Sequence, residues 1–396
     1  MTDVTQVGVL APDVATARRA PISAGRPAYL FGPLFDFLTL GGASLIVCGL
    51  IALILPRGIP STQQAVLITV LMTIINQPHF AHSYQMFYRN FGEKAFGASY
   101  PASLRWRYVV AGLVVPAAIV AYLAGTALAG SARMLAYSAN AMFFLVGWHY
   151  VKQGYGILIV DSVQKRLMFG DRAKAILRAN GYASWIVSWL AVNHAFSGRN
   201  YYIGLTYFSL PIPSLVYQAA IAVLVVLSAA TFFVFVQKWR DTRGQLPWNG
   251  LVAYVTTLYL WVIFVRFNPL VLAVVPTFHS LQYLAVVWRY QLNAGERGAA
   301  APAPALMSRL FPAQWSSFVF FIALGVLLGY LGFQGIPRSF DALLPYDKHL
   351  LGPSLFLFSF YIFINIHHYF LDNVMWRRGN PDVQQFIFAR AGTAQR

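Results

Sequence analysis

Apolar residues occupy this chain in long blocks separated by short polar segments. Ten blocks predict ten helices, at about 37–56, 63–87, 108–129, 134–159, 181–196, 214–236, 250–265, 269–288, 315–335 and 354–376. Each is near the ~20 residues a helix needs to cross ~30 Å of hydrocarbon. The fold class that follows is all-α, a polytopic membrane bundle of about ten transmembrane helices. Residues 37–376 form its single transmembrane domain. Residues 1–36 lack a continuous apolar run and read as a disordered basic cytoplasmic tail without a signal peptide. Residues 377–396 read as a short cytoplasmic tail. The stretch QKRLMFGDRAKAILRAN, between the fourth and fifth blocks, predicts a basic amphipathic segment lying along the membrane surface. NAGERGAAAPAPALMSR predicts an irregular linker.

Composition agrees with this pattern. The 396 residues are 58% hydrophobic and 10% charged, where a soluble domain carries about 25% charged residues. The net charge of +17 raises the question of nucleic acid, and its distribution answers it. With both termini in the cytoplasm, the outer segments hold only Arg57, Arg133, Arg199, Arg266, Arg338 and Lys348. Lys152 lies within a span, and the remaining lysines and arginines fall on the inner side. That is a positive-inside bias, expected of a plasma (inner) membrane protein in contact with anionic lipid. No nucleic-acid partner is needed. The single cysteine, Cys48, excludes a disulfide and an iron–sulfur cluster.

The polar residues inside the blocks carry the chemistry. Six of the eight histidines, His79, His82, His149, His279, His367 and His368, lie on the second, fourth, eighth and tenth blocks. His79, His279 and His368 each stand ten residues before an arginine, Arg89, Arg289 and Arg378. That is about 15 Å from the basic flank, and His149 falls at a similar level. A lone histidine in a span is often a packing residue with a hydrogen bond. Six in one slab, in the cytoplasmic half of the bilayer, point instead to a shared metal site, because ionisable residues in lipid face a common interior. His79 and His82 are three apart, on one helix face. His367 and His368 are about 100° apart around their helix, so they cannot both point the same way. Gln153, Gln282, Tyr283 and Asp372 lie within one turn of these histidines. The glutamines and Asp372 are candidates to hold ring N–H groups. Pro78 and Pro276 are placed to bend their helices.

Imidazole ligands suit iron, zinc or copper. A histidine-dominated sphere of Fe(II) in an apolar bundle suits an apolar substrate arriving from lipid, with O2 as co-substrate. PHFA at His79, WHY at His149, FHSLQYLAVVW at His279 and HHYFLD at His368 together resemble the Brp/Blh family of membrane β-carotene dioxygenases. The resemblance implies one iron held by histidines of several spans and oxidative cleavage of a carotenoid-like substrate. It departs at Tyr283, where the family's HSxxH has a histidine, and at Ser83 and Gln153, near which the family often carries an acid. The expectation is therefore an O2-dependent membrane non-haem iron oxygenase of lipid or isoprenoid substrates, with an external electron donor. The alternatives are a haem-b carrier, a solute or proton pathway through Lys152 and Asp372, and a zinc hydrolase. The chain shows no dinucleotide fingerprint, P-loop or serine-nucleophile elbow.

Overall fold

A computed structural model describes residues 29–54, 61–195, 199–203, 205–263, 270–296 and 304–388. One long helix, in some cases broken, falls on each of the ten apolar blocks. We number them α1 (Pro33–Phe37 continuing through a kink to Ala43–Ile54), α2 (Ser61–Leu71 and Gln77–Tyr88), α3 (Ala102–Val109 and Val115–Leu128), α4 (Ala132–Gln164) and α5 (Asp171–Ala195). They continue as α6 (Ser214–Asp241), α7 (Trp248–Ile263), α8 (Leu270–Glu296), α9 (Ala313–Tyr330 and Ile336–Leu343) and α10 (Leu355–Met375). Five stretches are long and apolar enough to cross a membrane by length and composition: Pro33–Ile51, Ala102–Leu128, Ser214–Asp241, Trp315–Leu343 and Leu355–Met375. Helices α2, α4, α5, α7 and α8 fall outside that set; of these, α2, α4 and α8 bury histidine together with asparagine or glutamine.

The structure differs from the sequence expectations in four places. The basic stretch after α4 is not a separate surface segment, because Asp171–Ala195 is one continuous helix. Its basic first turns and apolar remainder belong to the same rod, which is why the apolar block alone was short. A two-stranded antiparallel hairpin, β1 (Arg199–Tyr202) and β2 (Leu205–Phe208), follows it, with Arg199 opposite Phe208. Order begins before residue 37: the buried Asp36 carboxylate accepts from the backbone N–H groups of Leu30 at 2.7 Å and Phe31 at 3.0 Å. The segment after α10 is docked. Asn293 donates to the Phe386 carbonyl at 2.6 Å, and Lys94 pairs with Asp382 at 3.6 Å. Burial pulls the Lys94 pKa down from its ordinary value, and the Asp382 carboxylate opposes that shift. Residues 1–28, 389–396 and the RFNP junction between α7 and α8 lie outside the described residues.

Besides the π-turn Leu38–Gly42 at the α1 kink, three helices contain a π-turn that leads into a proline: Met72–Asn76 in α2, Val110–Val114 in α3 and Leu331–Gly335 in α9. Each is followed two residues later by a proline, Pro78, Pro116 and Pro337. Proline lacks the N–H of the ladder, and its ring crowds the carbonyl four residues back. Widening the preceding turn by one residue relieves that crowding and spreads the carbonyls outward. Two of those carbonyls reappear at the site described below.

Helix α10 packs against α2 and α4, and α8 packs against α2 and α1, with α7 between α4 and α8. On the far side of α2 lies α9, drawn close by two glycines. A Cβ on Gly325 would lie 2.6 Å from His82 Nε2, and one on Gly329 would lie 2.8 Å from the Gln77 carbonyl carbon. The close approach fixes α2, and with it His79, against the interior.

Candidate metal centre

The four helices bring His79 (α2), His149 (α4), His279 (α8) and His368 (α10) into one buried cluster with Asp372, one turn beyond His368. His149 Nε2 and His279 Nε2 are 3.1 Å apart. The rings of His79 and His368 are 4.8 Å apart, as are those of His149 and His368. His79, His279 and His368 each offer a nitrogen within 4.8 Å of the others, and so do His149, His368 and Asp372 through ligand atoms. The two groups share His368. All five residues are buried, His368 at 0% exposure.

The hydrogen bonds around the cluster leave ring nitrogens free toward its centre. His79 Nδ1 donates to the Asn76 carbonyl, on the π-turn of α2, and lies 2.8 Å from Ser280 Oγ. That fixes the Nδ1–H tautomer and leaves Nε2 a lone pair with no hydrogen-bond partner. Neither nitrogen of His368 has a hydrogen-bond partner, and His279 Nδ1 has none. Asp372 Oδ1 accepts from Ser83 at 3.0 Å and from the Tyr283 hydroxyl at 3.1 Å. Its Oδ2 lies 3.5 Å from His368 Nε2 and 3.8 Å from His149 Nε2. Tyr150 stacks on His279 with ring centroids 4.0 Å apart, and Tyr369 stacks on His149 at 4.8 Å. These rings limit how far the ligand imidazoles can turn.

Unpartnered polar atoms this deep are costly, and native proteins keep few of them. A cation accepting the free lone pairs would remove that cost. The 3.1 Å nitrogen separation fits two donors sharing one ion through bonds of about 2.1 Å. Four imidazoles and a carboxylate are donors that iron and zinc accept and that calcium and magnesium do not favour. Ring centroids 4.8 Å apart leave no space for a porphyrin plane between facing histidines.

The other predicted residues stand around the cluster rather than in it. His367 is turned away: its Nε2 donates to the Ala111 carbonyl at 2.9 Å, on the π-turn of α3, and Nδ1 accepts from Tyr84 at 2.8 Å. His82 donates through Nε2 to the Phe321 carbonyl at 3.1 Å and stacks on the Phe321 ring at 3.8 Å. Gln153 reaches the His279 carbonyl and Gln282 Oε1, both at 3.0 Å, instead of a ring nitrogen. Gln282 in turn donates to the Leu40 carbonyl at 2.5 Å, beside the α1 kink. These two amides tie α4, α8 and α1 together. Lys152 donates to Asn373 and lies over the Trp148 ring, 4.7 Å from its centroid, so no histidine–lysine–aspartate chain is assembled. The sequence reading missed Asn76, Ser280 and Tyr84. Asn76 and Ser280 sit within four residues of a proline and a histidine, a detectable signal; Tyr84 carries none. A scan against protein-family models and searches of curated proteins and of solved structures return no match.

Proposed function

We propose that this protein is an integral-membrane non-haem iron enzyme that uses O2 to oxidise or cleave an apolar lipid or isoprenoid. The observation that carries the reading is the convergence of four buried imidazoles from four helices beside the Asp372 carboxylate, with unpartnered ring nitrogens on His79, His279 and His368. His79, His149, His279, His368 and Asp372 hold the ion. Five donors exceed the three or four that zinc sites use, and a histidine–carboxylate set with open positions suits Fe(II). When bound, the iron supplies O2 binding and activation. Ser280 and Asn76 hold His79, Ser83 and Tyr283 hold Asp372, and the surrounding aromatic side chains exclude water. The motif-level resemblance to the membrane β-carotene dioxygenases supports the same substrate class. In this reading all ten helices cross the plasma (inner) membrane, both termini are cytoplasmic and the cluster lies in the cytoplasmic half.

Elemental analysis, an optical spectrum and an O2-consumption assay on the detergent-purified, Fe(II)-reconstituted protein test the reading. One iron per chain and no Soret band are expected, with O2 uptake when carotenoid or polyunsaturated lipid is supplied. Absence of any retained transition metal overturns it. Activity that survives removal of O2 points to zinc hydrolysis instead.

A further inference from the structure

A line of oxidisable rings leaves the cluster along one face of α8. Tyr283 lies 5.5 Å from His79 and 5.7 Å from His368, ring centroid to centroid. The Trp376 ring, just past the end of α10, is 5.8 Å from Tyr283 and 6.2 Å from Tyr290. Tyr283 and Tyr290 are seven residues apart, two turns along α8 and about 10 Å in rise. Trp376 fills the step between them. The line ends where Arg289, Arg377 and Arg378 are attached. Tyr283 differs from an ordinary packing tyrosine in one respect. Its hydroxyl donates to Asp372 Oδ1 at 3.1 Å, so it has a carboxylate ready to take its proton at the moment it loses an electron.

We propose that Tyr283, Trp376 and Tyr290 form an electron conduit that discharges the centre when it is oxidised in the absence of substrate. The inference rests on the iron reading above. With iron held at the cluster and oxidised by O2 or a peroxide, Tyr283 would give up one electron to it, and the phenolic proton would cross the existing hydrogen bond to Asp372, leaving a neutral tyrosyl radical. Trp376 then supplies an electron to that radical as the proton returns from Asp372, restoring the phenol. A water-soluble one-electron reductant at the arginine-bearing end, acting across Tyr290, returns an electron to the indole cation. Each passage reduces the centre by one electron and oxidises the external reductant by one. The ligand histidines are spared.

The test uses the full chain in lipid nanodiscs, loaded with Fe(II), with the iron content of every sample measured. Hydrogen peroxide is added without substrate, and freeze-quench EPR is recorded with natural and ring-deuterated tyrosine. A radical that narrows on tyrosine deuteration is expected, absent in Tyr283→Phe. In Trp376→Phe, which retains an aromatic ring for packing, its lifetime should lengthen several-fold, and ascorbate should no longer shorten it. An iron-loaded wild type with no tyrosyl radical overturns the conduit, as does a lifetime unchanged by Trp376→Phe. Failure of the wild type to retain iron removes the metal reading itself, and the conduit with it.

Discussion

His367 and His368 are neighbours on α10, yet they inhabit different chemistry. His367 has both ring nitrogens engaged, by the Ala111 carbonyl and Tyr84. His368 has neither engaged and is fully buried. His82 and His79 on α2 divide by placement instead: each bonds one backbone carbonyl and leaves its other ring nitrogen unpartnered, but His82 stacks on Phe321 of α9 while His79 faces His279 and His368. Proximity in sequence and depth therefore does not define the centre. What defines it is which ring nitrogens the helices bring within reach of one another and of Asp372.

Substitutions test that division, and the largest effect is expected at its centre. His368→Ala and His79→Ala each remove a donor from the cluster. Iron retained after reconstitution should fall from one per chain to a trace in elemental analysis, with the helical circular-dichroism signal intact. Asp372→Asn keeps the shape and the Ser83 and Tyr283 contacts but removes the charge. Its affinity for Fe(II), measured by competition with a chelator, should fall by at least the ~10–100-fold that loss of a ligand's hydrogen-bond partner brings. Ser280→Ala leaves His79 Nδ1 its Asn76 carbonyl, so the loss should be about tenfold or less. His367→Phe should leave iron content unchanged. It strands the Ala111 carbonyl and the Tyr84 hydroxyl, at a cost of about 1–3 kcal/mol, read as a lowered thermal midpoint in detergent. Loss of iron in His367→Phe at unchanged stability would erase the distinction between the two histidines.

The apolar blocks carried the helix positions because a lipid-facing surface must be apolar along its whole length. Helix α6 is the extreme case, with only Leu224, Thr231 and Phe235 buried. The polar interruptions at His79, His149, His279 and His368 carried the site, because a residue costly in lipid has to face inward. Which way His367 and His368 point was not legible, since a 100° step allows either to face in, and α3 and α9 decide between inward directions. The roles of Gln153 and Gln282 were not legible either. A glutamine one turn from a histidine can reach its ring or another backbone, and here α1 and α8 supply the nearer carbonyls. The continuity of α5 escaped because hydropathy registers the change of solvent along a helix as if it were an end. The hairpin β1–β2 is too short to carry a pattern of its own.

The π-turn of α2 has a consequence for how this chain tolerates change. It holds one residue more than a regular turn, immediately ahead of Pro78 and His79. Deleting a single residue between Met72 and Asn76 would restore an ordinary helix and twist the preceding half of α2 by about 100° relative to His79. That N-terminal half would then turn its exposed side toward α8 and its packed side outward. The spacing between residue 61 and His79 thus behaves as a fixed index. In this stretch, changes of side chain are far easier to absorb than a change of length.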